Sequence, residues 1–170
     1  QGIFRENREW EESLHEIVMK DGSVEDLCQI SYRYFRNPLF VHDAQLNVLA
    51  CPVWREGMIN WRTDRWTGQI SIPFEIINEF KMDQEYVHTL TTHGADIFSA
   101  DLRGHRALYV NLWNPFGRYD GRLVICELES ALKPGQFIAS EFLAGMVKLV
   151  LARRGSLEHT YRHELDRLFT

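Results

Sequence analysis

The segment that most restricts the fold is RALYVNLW, Arg106 to Trp113. Successive side chains of a strand point to opposite faces. Read that way, Leu108, Val110 and Leu112 form a purely aliphatic face, while Ala107, Tyr109, Asn111 and Trp113 form the other. The aliphatic face suits packing beneath helices. The second mixes aromatic surface with an amide, which is costly to bury unless something hydrogen-bonds it.

NPLFVHDAQLNVLACP, Asn37 to Pro52, has the form of a hairpin. Leu39–Asp43 and Leu46–Cys51 read as short strands, and Asp43 and Asn47 are the expected turn formers. Ile97–Ala100 and Arg122–Glu129 complete the predicted strands. Around them lie helices. Ile3, Trp10, Leu14, Ile17 and Val18 recur at helical spacing over roughly 4–20. Ser23 caps a second helix, with Glu25 and Asp26 in its first turn, and Asn37-Pro38 breaks it. Pro73 opens a helix over IPFEIINEFKM, whereas DQEYVHTLTTHGAD, residues 83–96, is compatible with helix or strand. A long helix is expected over about 136–153, ended by Gly155. A last one should follow Ser156, with Leu157, Tyr161, Leu165 and Leu168 on one stripe.

Hairpin-connected strands beside separate helices predict an α+β fold with a central antiparallel sheet of about five strands and flanking N- and C-terminal helices. The chain has 170 residues, 45% of them hydrophobic, enough for one compact domain with a core. Formal net charge is −5, which speaks against a broad basic surface for nucleic acid. No uninterrupted apolar run approaches the roughly 20 residues of a bilayer span, and the charged N-terminus lacks a signal-peptide pattern. Cys28, Cys51 and Cys126 are sparse and form no CxxC pair. Free, packed thiols in a reducing, cytoplasmic setting are the expectation.

Two strands, a helical crossing and three long strands make this chain resemble PAS and GAF sensor domains, with NPLFVHDAQLNVLA as the opening hairpin. The ending TYRHELDRLFT is similar to the connector of PucR-type and sugar-diacid-type bacterial transcription regulators. The resemblance implies N-terminal helices over 1–36, a PAS/GAF-like domain over 37–153 and a connector helix over 154–170. It also implies a small-molecule metabolite as ligand, and DNA contacted only through a domain outside these residues.

Catalytic patterns are absent. His88 and His93 do not share a helix face, and no HExxH occurs. His159 and His163 do share one, without a convincing third ligand. There is no GxSxG elbow, and WNPFGRYDG lacks Walker or dinucleotide spacing. His42, His88 and His105 leave haem open, so no cofactor is specified. The expectation is a sensor, not an enzyme.

Trp54, Trp61 and Trp66 crowd the crossing, residues 53–95, and with Tyr109, Asn111 and Trp113 they are the predicted ligand-binding set. Arg55, Arg62 and Arg65, interleaved with the tryptophans, are either solvated or available to an acidic ligand. The long helix is apolar over most of its circumference and needs cover on more than one side. Phe142, Met146 and Val150 on it, with Trp10 and Leu14 on the first helix, are the candidate interface. That cover comes either from the chain's own first helix or from a second copy in a two-fold homodimer. A ligand-free dimerisation module is the rival reading.

Overall fold

A computed structural model of the chain describes residues 2–169, with the side chains of 5–155 and 163–169. Its elements run α1 (Gly2–Met19), α2 (Val24–Phe35), β1 (Leu39–Asp43), β2 (Val48–Ala50), β3 (Arg62–Thr63), β4 (Ile70–Ser71), α3 (Phe74–Met82), α4 (Gln84–Thr89), β5 (Ala95–Phe98), β6 (Ala107–Trp113), β7 (Tyr119–Cys126) and α5 (Gly135–Phe169). Five strands form one antiparallel sheet in the order β2-β1-β7-β6-β5, and β3 and β4 pair separately as a small hairpin in the crossing. This is the predicted α+β architecture.

Local chemistry accounts for the joints. Ser23 and Asp26 form a reciprocal capping box at the start of α2. Asp43 Oδ1 accepts from the amides of Gln45 and Asn47, which closes the β1–β2 turn. Gly121 is a steric necessity, because a Cβ there would stand 2.1 Å from the carbonyl oxygen of His42 on the neighbouring strand. Asn37 does more than break a helix. Fully buried, its Oδ1 accepts from the amides of Leu128, Glu129 and Ser130, and its Nδ2 donates to Ser130 O. One side chain thereby fixes the turn after β7 to the end of α2.

The helices α1, α2 and α5 cover one face of the sheet. Leu39, Val41, Leu108, Val110, Leu112, Leu123 and Ile125 from the sheet meet Leu14, Leu27, Phe35, Leu143 and Val147 in one continuous cluster. The aliphatic face of β6 is therefore where alternation put it. Trp10 stacks on Tyr34 at 4.0 Å between ring centroids and donates to Ser31 Oγ. Gly135–Gly155 is long and apolar enough in composition to cross a bilayer, and its inner side packs in this core.

Several boundaries differ from the expectation: β7 runs Tyr119–Cys126 rather than Arg122–Glu129, β5 runs Ala95–Phe98 rather than Ile97–Ala100, and the last helix differs most. α5 continues through Gly155 to Phe169 rather than ending there. A glycine inside a helix costs only about 1 kcal/mol relative to alanine, and Gly155 lacks the positive φ that a left-handed cap would require. The side chains of Ile3, Leu157, His159 and Tyr161, which entered the predicted stripes and pairs, lie outside the described residues.

A cavity on the open face of the sheet

The opposite face of the sheet has a different character. Strand register sets three rows on it. His42, Arg122 and Asn111 are cross-strand neighbours; Phe40, Val124 and Tyr109 form the next row; Cys126, Ala107 and Phe98 form the third. Over these rows lies the crossing, whose Met58, Ile59, Ile72, Phe80 and Tyr86 complete the walls of a cavity of about 70 Å³. That is several times what one water molecule needs and well below the ~300 Å³ at which sites for drug-sized ligands begin.

The cavity's polar end is organised by Arg122, which is 4% exposed. Its Nε donates to Asn111 Oδ1 at 2.7 Å and its Nη2 to Thr89 Oγ1 at 2.8 Å. The guanidinium carbon lies 4.6 Å from the Tyr109 ring centroid and 5.3 Å from that of Tyr86. Neutral hydrogen bonds and ring faces therefore surround the charge. Among the described residues no carboxylate forms an ion pair with it, and no Asp or Glu lines the cavity. The second arginine on the wall, Arg103, does have one, Glu79, at 3.8 Å.

Asn111 is fully committed. Besides accepting from Arg122, its Nδ2 donates to the carbonyls of Thr89 and Thr92. Thr92 O also accepts from Trp113 Nε1, and Thr92 Oγ1 bonds the Tyr109 hydroxyl. This network fixes the α4–β5 loop against the sheet. His42 sits beside Arg122, with Nδ1 at 2.9 Å from Asp43 O. Burial, reinforced by the nearby guanidinium charge, pushes its pKa down to about 4, so the ring is neutral at pH 7. His105, also on the wall, is shifted downward by partial burial and then by Arg103.

Of the six residues predicted to bind ligand, Tyr109 lines the cavity and Asn111 lies directly behind Arg122. Trp113 stands aside, stacked on His93 at 4.6 Å. The three tryptophans of the crossing do not line the cavity. Trp66 is 92% exposed at the tip of the β3–β4 hairpin, and Trp54 is 43% exposed. Trp61 packs edge-on against Phe40 outside the cavity lining. Aliphatic and aromatic residues of the crossing, not its tryptophans, form the lid. The interleaved arginines are also elsewhere, Arg55 on Glu129 at 3.0 Å and Arg62 over the Phe74 ring.

The candidate interface residues have a place inside one chain. Trp10, Leu14, Met146 and Val150 are buried in the helical core, and Phe142 packs against it at 6.0 Å from Trp10. The first helix of the same chain thus supplies the cover that α5 needs. Along the part of α5 that packs on the core, Ile138 and Leu149 stay exposed, and Leu168 and Phe169 are exposed at its far end.

The three cysteines are unpaired, and burial pushes the Cys28 thiol well up and that of Cys126 up to about 12. Neither is a thiolate at neutral pH. Among the described residues no group of three His, Cys, Asp or Glu is placed to hold a metal ion.

No protein-family model matches the chain, and no curated protein matches it. Solved structures do. The cofactor binding GAF domain of the nutrient sensor CodY from Clostridium difficile superposes with a TM-score of 0.55 at 15% identity, over 89% of this chain and 98% of that one. The E. coli DhaR(N)-DhaL complex aligns with a TM-score of 0.46 at 14% identity, over 99% of this chain and 56% of that chain. The first of these establishes the fold as GAF-like.

Proposed function

We propose that the chain is the small-molecule-sensing domain of a bacterial transcription regulator. One observation carries this reading: the face of the sheet away from the helices bears a partly open cavity of about 70 Å³ with a buried arginine in its wall. A scaffold that served only to present helices would gain stability by filling that space with side chains, because interiors pack tightly. The shared fold with a cofactor-binding domain of a nutrient sensor agrees with it. Fold alone would not suffice, since function resides in sites.

In this reading the ligand lies between the sheet and the crossing. Its occupancy biases α5, the helix that runs on past the helical core, and through it a DNA-binding domain outside these residues. The protein works in the cytoplasm without catalysing a reaction. It acts as a homodimer, and the residues that α5 leaves open favour that helix as the contact. Ile138, Phe142, Gly145, Leu149 and Ala152 follow one another at alternating steps of four and three, the spacing of a helix-pairing seam.

Thermal-shift screening against a metabolite library tests the site. A hit should raise the melting temperature of the wild type and lose its effect in Ala107→Phe, which fills the cavity. A hit that stabilises both proteins alike would locate binding elsewhere. Sedimentation that finds only monomer at tens of micromolar would remove the dimer.

A further inference from the structure

Resting on the reading of the cavity as the ligand site, we infer that its ligand is a small organic carboxylate whose anionic group pairs with Arg122. The inference comes from what the guanidinium lacks. A buried cation taken out of water is strongly disfavoured unless an opposite charge and hydrogen bonds replace the water. Arg122 has hydrogen bonds on Nε and Nη2 and the rings of Tyr109 and Tyr86 close by, and among the described residues no carboxylate pairs with it. Every other charged side chain in the described residues is at least partly exposed.

The geometry also restricts the anion. With Nε directed at Asn111 and Nη2 shared with Thr89, Nη1 has no hydrogen-bond partner among the described residues. A single edge matches a single planar carboxylate, which accepts two parallel N–H bonds. A phosphate could use the same edge, but its further oxygens and charge would meet a mostly apolar wall. The rest of the cavity offers mostly apolar wall: Ile59, Ile72, Phe80, Phe98 and Val124. The body of the ligand is therefore aliphatic, and at about 70 Å³ it is short. A longer body would have to press the crossing outward.

The test compares acids with their amides, which have nearly the same shape without the charge. Acetate, propionate, isobutyrate and isovalerate, each with its amide, and inorganic phosphate are titrated into the 170-residue chain at pH 7.5 by calorimetry. Affinity should rise with chain length until the void is filled. The best acid should bind roughly 10- to 100-fold more tightly than its amide, the range of a charge-assisted hydrogen-bonded contact. Arg122→Gln should abolish that preference, and Arg122→Lys, which keeps the charge but loses the planar edge, should reduce it.

Equal affinity for acid and amide in the wild type would overturn the carboxylate assignment and leave the sensor reading standing. Phosphate binding more tightly than every carboxylate would overturn it too. If neither acids nor amides bind at millimolar concentration, the cavity is no site for molecules of this size, and both readings fall. The wild-type comparison decides the matter even if a variant at Arg122 fails to fold.

Discussion

The two faces of the sheet are built from the same strands and follow opposite rules. On the helical side, Leu39, Val41, Leu108, Leu112, Leu123 and Ile125 are completely buried among other hydrocarbons. On the other side, a void adjoins a charged guanidinium, an imidazole held neutral and an amide with every donor and acceptor engaged. The first face is where stability is concentrated. The second tolerates a hole and a buried charge, and such departures from good packing collect where a protein does its work. Single substitutions should therefore behave differently on residues one position apart.

Leu123 and Val124 make the sharpest contrast. Leu123→Ala opens a cavity in a solid core and should cost about 3–4 kcal/mol in urea unfolding. Val124→Ala enlarges a void already present, removes fewer atoms, and should cost about 1 kcal/mol. Equal losses would mean that the open face is as solid as the helical one.

The next largest effect is a pH dependence confined to the open face. Unfolded, the His42 imidazole takes up a proton near its ordinary pKa of about 6.5. Folded, burial holds that value down to about 4. Between these pH values the unfolded chain binds a proton that the folded chain refuses, so stability falls as the pH falls through the window and the loss levels off below it. The slope approaches 1.4 kcal/mol per pH unit and the total is roughly 3 kcal/mol. His42→Phe should flatten this part of the profile in urea titrations between pH 7.5 and 4. An unchanged slope in the variant would assign the acid sensitivity to other groups.

These contrasts also separate what the sequence discloses from what it hides. The helical face of β6 was legible because alternation is local and aliphatic side chains have one place to go. The Asp43 turn and the Ser23 cap were legible for the same reason, since their partners lie within four residues. The cavity is assembled from β1, the crossing with its α3 and α4, β5, β6 and β7, and no local period encodes that convergence. Three tryptophans drew attention to the crossing, but hydrophobicity alone could not tell a lid from an exposed hairpin tip. Arg122 left one faint signal: it alternates with Val124 and Cys126 and opens directly onto the apolar run Leu123–Cys126. Asn37 read only as a helix breaker, because its partners are more than 90 residues away.

Arg122→Met sharpens the comparison at a smaller scale. In a structural strut, loss of the bonds to Asn111 and Thr89 would cost 3 kcal/mol or more, with their partners left unsatisfied. For a binding group held without its counter-ion, removal of the unpaired charge offsets much of that loss. The ligand-free variant should accordingly unfold within about 1 kcal/mol of the wild type. A loss above 3 kcal/mol would make Arg122 a strut of the fold.

The smallest effect concerns the place where the two faces meet. The α4–β5 loop is held from the cavity side by Asn111 and Trp113, which donate to Thr92 O, and by Arg122, which donates to Thr89 Oγ1. From the helical side it is held by α5, where Glu141 Oε2 accepts from the Ala95 amide at 3.3 Å. The loop is thus bonded both to the group that would meet a ligand and to the helix that would report it. Glu141→Ala removes only the second attachment. A long, half-exposed bond of this kind is worth about 0.5–1 kcal/mol, so exchange of the Ala95 amide should quicken roughly two- to fivefold while global stability hardly changes. Coupling between two sites is reciprocal. If the loop carries the signal, ligand binding should slow exchange along α5 in the wild type and do so less in Glu141→Ala. Equal protection of α5 in both proteins would route the signal through the sheet and leave this loop as a wall of the cavity.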